Sequence, residues 1–213
     1  MQAIDKITYS TYWITIVFVV LLGGILLLKL LNEQKLMQRF YAIFNFTFIE
    51  DELEDGYKYL TPFEVVMFIF SATTLTILLA YLALYMEGKH KITFTLFLEV
   101  YGVVFLYFLT KRVLEFALVR LFLVQKKLRT FLNSKNHYLH SISFLIFILL
   151  VFYEYTDFKS IALFFFSFLL FVFRFLLFFI RNKKLIFNKL FYFILYICAF
   201  EIAPLFILFN LMF

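Results

Sequence analysis

Three ionisable residues, Glu99, Arg174 and Glu201, lie inside otherwise apolar runs of this sequence. A charge in hydrocarbon costs several kcal/mol unless it is paired, neutralised or hydrated, so chemistry is to be sought first at these positions. Their depths follow from the basic residues that end the runs. Glu99 stands 12 residues before Lys111 and Glu201 stands 12 residues after Lys189, which puts both about 18 Å from that boundary at helical rise. Arg174 is 7 residues before Arg181, about 10 Å deep, where its long side chain reaches either the headgroups or the carboxylates. Thr95, Glu99, Gly102, Leu106 and Thr110 share one side of a helix, and Glu64, Ser71, Thr74, Tyr81 and Tyr85 share a side of another. Hydroxyls so placed can satisfy a buried carboxylate.

Around Glu201, Cys198 and Pro204 recur at three-residue steps, and Ala199 with Ala203 makes a small-xxx-small contact. Pro204 frees the carbonyl of Phe200, a second acceptor at nearly the same depth. Two carboxylates and a free carbonyl suit a proton or a small cation, whereas the same residues with Arg174 suit a tie between helices. The tie is favoured. One arginine and two glutamates are a small inventory for a transporter, and the first three spans do not repeat in the last three.

Other motifs carry less. His137 and His140 stand three apart, but no acid or cysteine near them completes a metal site. Cys198 reads as packing, since no histidine lies near it in sequence or depth. Phosphate loops, dinucleotide fingerprints and Gly-x-Ser-x-Gly are absent. The expectation is a protein that is not an enzyme and holds no cofactor or metal. Glu50 to Asp55, with five acids in six residues, reads as a solvated loop.

The elements that position these residues are membrane spans. Of 213 residues 65% are apolar and 23% aromatic, with 16% charged and a mean hydropathy of +0.96. Ordinary soluble domains are about half apolar and about a quarter charged, so the solvent is lipid. One cysteine excludes an internal disulfide, and two prolines and five glycines exclude a Pro/Gly-rich linker. Crossing the hydrocarbon takes about 20 helical residues. Six runs qualify, at about 12–31, 62–86, 92–110, 139–155, 158–180 and 188–212. The predicted fold is therefore all-α and polytopic, with residues 1–213 as one integral membrane domain. Thr61 and Pro62 suit a helix start and Gly88 a helix stop.

Basic residues set the orientation. Loops one, three and five hold fifteen of the 20 lysines and arginines, against Lys6, Lys89, Lys91 and Lys159 on the other side. By the positive-inside rule both termini face away from the cytoplasm. The net charge of +6 reflects this collar, so no nucleic-acid partner is implied. Asp5 beside Lys6 leaves almost no basic leader, and the first run reads as a retained span.

Two cytoplasmic stretches exceed plain turns. From Lys29 to Phe48 apolar residues recur at three- and four-residue steps, with Glu33, Gln34, Gln38 and Arg39 on other faces, which suits an amphipathic helix in the headgroup layer. Val113 to Phe131 continues the third span and is too short for another crossing, so it is placed at the interface.

The C-terminal third resembles a known family. Arg181 to Lys184 and then Phe191 to Leu205 are similar to the end of the DUF4271 family of Bacteroidota multi-pass inner-membrane proteins, whose last span closes on an LYxCxxEIxPL-like signature. Leu195, Tyr196, Cys198, Glu201, Ile202, Pro204 and Leu205 match it. The resemblance implies an inner-membrane location and attention to Glu201 and Pro204, and no activity. The expected function is an accessory or structural subunit of an envelope complex for secretion, motility or insertion, with the lipid bilayer and other membrane subunits as partners. The alternative is a small-ion or proton-coupled transporter using Glu99 and Glu201.

Overall fold

The computed structural model describes residues 12–41, 61–86, 88, 92–121, 125–156 and 159–181. They form six helices: α1 (Tyr12–Leu31), α2 (Glu33–Tyr41), α3 (Pro62–Met86), α4 (Phe94–Leu121), α5 (Gln125–Tyr155) and α6 (Ser160–Arg181). Among the described residues no strand occurs, and five helices are long and apolar enough to cross a membrane. The protein is a polytopic all-α membrane protein. The expected sixth span at 188–212, with Glu201 and Pro204, lies outside the described residues, as does the acidic run Glu50 to Asp55.

Local chemistry explains the boundaries. Asn32 separates α1 from α2 and caps the second helix, its Oδ1 accepting from the Lys35 N–H at 2.9 Å. At the start of α3 the Glu64 N–H reaches the Thr61 hydroxyl at 3.4 Å, with Pro62 in the first position where its missing N–H costs nothing. Gly88, with φ of +66°, closes the other end of that helix by donating to the Tyr85 carbonyl at 3.3 Å.

Long helices leave little room for separate interfacial ones. As the sequence suggests for the stretch from Val113, α4 continues the third span beyond its spanning part to Leu121, and helix resumes at Gln125, so that α5 extends the fourth span by several turns.

α3 is the centre of the bundle and packs on α1, α4 and α5, while α5 packs on α2, α3, α4 and α6. Within their spanning windows 56% of α3 and 50% of α5 are buried, against 22% of α1, 17% of α4 and 11% of α6. Phe70 of α3 stacks between Phe144 and Phe147 of α5, with ring centres 4.9 and 5.6 Å apart, and Trp13 of α1 sits 5.3 Å from Phe97 of α4. The outer helices turn Val20, Leu26, Leu106, Ile161, Phe165 and Phe168 outward. So much contiguous apolar surface is at home in lipid and not in water.

Candidate functional site

Polar side chains of the bundle interior fall into two layers. The first lies where α2 meets α3 and α5. Arg39 of α2 is fully buried and its guanidinium donates to the carboxylate of Glu64, itself buried in the first turn of α3. The helix N-terminus adds its own positive end to the stabilisation of Glu64. One residue beyond Arg39, the Phe40 carbonyl accepts from the Ser141 hydroxyl of α5 at 3.0 Å. Two turns along α3 from Glu64, Ser71 Oγ lies 2.8 Å from His140 Nδ1 and donates to the Met67 carbonyl at 2.9 Å. The Ser71 hydroxyl thus links α3 to the His140 ring of α5. His137, one turn away, is buried too.

The second layer ties the opposite end. Tyr81 of α3 donates to Glu154 of α5, Tyr153 OH lies 2.9 Å from Ser160 Oγ of α6, and Tyr155 donates to Thr15 of α1 at 3.1 Å. His140 and Glu154 are 14 residues apart on α5, so about 20 Å separates the layers. Between them Phe70, Ile77, Ile142, Ile146 and Leu150 are buried, and the hydroxyls of Thr74, Thr76 and Ser143 donate to carbonyls of their own helices. Each layer therefore cross-links helices near one end of the bundle, with apolar packing in the middle.

Of the residues singled out from sequence, Glu64, Ser71 and Tyr81 belong to these layers, while Thr95 and Glu99 do not. Thr95 and Glu99 are exposed on the outward side of α4 with Gly102, Leu106 and Thr110. Among the described residues no hydrogen bond or ion pair reaches the Glu99 carboxylate, so no tie to Arg174 forms there. Arg174 is half-buried on α6. Glu201 and Pro204 lie outside the described residues.

Arg39 departs most from expectation. Assigned to the solvent-facing side of a headgroup helix, it instead enters the bundle, because Glu64 and the α5 face offer it a partner and a wall. His137 and His140, for which the sequence offers no partners that would complete a metal site, are both buried. A signal was present: Glu64 and Ser71 seven apart, and His137 and His140 three apart, each mark one helix face near the basic ends of their spans. No group of three or more His, Cys, Asp or Glu suited to a metal occurs among the described residues.

The family model described as "Domain of unknown function (DUF4271)" matches residues 14–212 of the chain. No curated protein and no solved structure gives a match.

Proposed function

The chain belongs to the DUF4271 family, and on that premise we propose that it is a non-enzymatic accessory or structural subunit of an inner-membrane envelope complex in a Bacteroidota cell. The observation that carries this reading is the pair of polar layers about 20 Å apart with apolar packing between them. In both layers side chains from different helices engage one another: Arg39 with Glu64, Ser71 with His140, Tyr81 with Glu154. Such ties hold a scaffold in one arrangement, whereas a carrier needs polar groups at the midplane between its moving parts. The outward face of α6, with Phe165, Phe166, Phe168, Phe173 and Phe175 exposed, supplies rigid aromatic surface for a neighbouring span. The fifteen-to-four asymmetry of basic residues supports a periplasmic location for both termini.

Purification in a gentle detergent tests the proposal. The same membrane partner should co-purify in stoichiometric amount and be lost from a Phe168→Ala/Phe173→Ala variant that remains folded. Repeated recovery of the protein alone would overturn it.

Glu99 supports a second reading, proton or small-ion handling with Glu201, because a carboxylate deep in a span has no partner among the described residues. Here Glu201→Gln decides. If the role is structural, the amide keeps an acceptor and is tolerated far better than Glu201→Leu. Loss of function in Glu201→Gln at normal abundance would favour ion handling.

A further inference from the structure

Among the described residues, α4 exposes an ionisable group in mid-span. Glu99 stands about 18 Å from the basic boundary by the residue count to Lys111, and a carboxylate turned toward hydrocarbon there is costly. The outward faces of α1 and α6 differ: Val20, Leu26, Ile161, Phe165 and Phe168 are apolar and need only lipid. Around Glu99 the exposed positions are regularly spaced. Thr95, Glu99, Gly102, Leu106, Leu109 and Val113 follow one another at steps of four, three, four, three and four residues, while Phe97, Val100 and Val104 between them are buried in the bundle. That alternation is the heptad seam of two helices packed along their length. We propose that this seam joins two copies of the chain across a two-fold axis along the membrane normal, α4 against α4 in parallel, with the two Glu99 carboxyls hydrogen-bonded to each other.

Depth, hydrogen bonding and shape select a second copy as the occupant. Copies that share one orientation in the membrane bring each seam residue opposite itself, so Thr95, Glu99 and Gly102 meet polar or small counterparts at their own level by symmetry. A different span would need a matching group at that depth. Hydrogen bonding is self-complementary as well, because a carboxyl with its proton donates from one oxygen and accepts at the other, so two of them satisfy each other without leaving a charge in hydrocarbon. Gly102, one turn from Glu99, supplies the shape. It has no side chain, and a Cβ built there meets nothing within 4 Å, so the gap lies outside the bundle and can receive a closely approaching backbone. Leu106, Leu109 and Val113 continue the seam with exposed apolar side chains. One polar position inside such a seam fixes its register and the number of strands. The dimer goes beyond the subunit reading, whose partner docks on α6, and either can fail without the other.

Cysteine cross-linking of the full chain in its membranes tests the seam. Cys198→Ser removes the chain's single cysteine, and Leu106→Cys in that background puts one thiol per copy on the seam. A disulfide needs Cα atoms about 4.4 to 6.8 Å apart. Oxidation with copper phenanthroline should give a band of twice the monomer mass that contains both of two differently tagged copies and disappears with reductant. Phe168→Cys, on the outward face of α6, should stay monomeric. Adding Glu99→Leu to Leu106→Cys should lower the dimer yield several-fold, whereas Glu99→Gln, whose amide still donates and accepts, should keep most of it. Gly102→Leu should lose the dimer at unchanged abundance, because the bundle has room for the new side chain and the paired helix does not. A Leu106→Cys chain that stays monomeric would overturn the proposal and leave the face to lipid or to another part of the same chain. An adduct with a different protein would overturn it in favour of another subunit, and equal yields from Glu99→Leu and Glu99→Gln would remove the carboxyl pair from it. If Leu106→Cys does not fold, Leu109→Cys reads the same seam one step further.

Discussion

Removing one partner of the Arg39–Glu64 pair takes away the opposite charge that the other faces in the bundle interior. Arg39→Leu or Glu64→Leu should therefore lower stability by about 3 to 5 kcal/mol, while Arg39→Met combined with Glu64→Leu should recover most of that loss. Unfolding in detergent measures both, and a double variant as weak as the singles would show that the pair is more than a mutual neutralisation. The Ser71–His140 contact makes a similar claim at smaller size. Ser71→Ala strips a buried ring nitrogen of its hydrogen-bond partner and should cost about 1 to 3 kcal/mol, and a much smaller further loss should follow when His140→Phe removes that nitrogen as well. Additive losses in the same assay would mean that the two residues do not depend on each other.

At the scale of elements, α3 and α5 are stapled at both ends and dry in the middle. Their hairpin partners are set by short connections, and the one after α3 turns at Gly88 with φ of +66°. A side chain in that left-handed region pays about 1 to 2 kcal/mol unless it is Asn or Asp. Gly88→Ala should lower the unfolding free energy by about that much, and Gly88→Asn by clearly less. Equal losses for the two would place the cause in something other than backbone conformation. α2 shows a different principle: a nine-residue amphipathic helix packs Leu36 and Phe40 on the core and adds one arginine and one carbonyl that reach across to α3 and α5.

For the whole molecule, the ends of the helices with Lys29, Arg112 and Arg181 share one membrane side, because each spanning helix reverses the one before it. The Arg39–His140 layer is at this basic end and the Tyr81–Glu154 layer at the other. A periplasm-active reporter fused after Phe213 should be strongly active if that basic side is cytoplasmic and six spans cross. Activity of a cytoplasm-only reporter at the same site would reverse the topology.

Much of this was readable from the chain. The first run, Tyr12–Leu31, and the second, Pro62–Met86, coincide with α1 and α3. Bilayer thickness limits the length, and Asn32, Thr61, Pro62 and Gly88 punctuate the ends by local hydrogen bonding and backbone geometry. The shared faces were readable as well: Glu64, Ser71 and Thr74 do line one buried side of α3, and Thr95, Glu99 and Gly102 do line one side of α4. Packing alone decided that the first face turns inward to meet Arg39 and His140 while the second turns outward. In water, burial of the apolar stripe would have told the two apart. In a membrane both surroundings are apolar, so periodicity reveals which residues share a face but the neighbouring helices determine what that face meets.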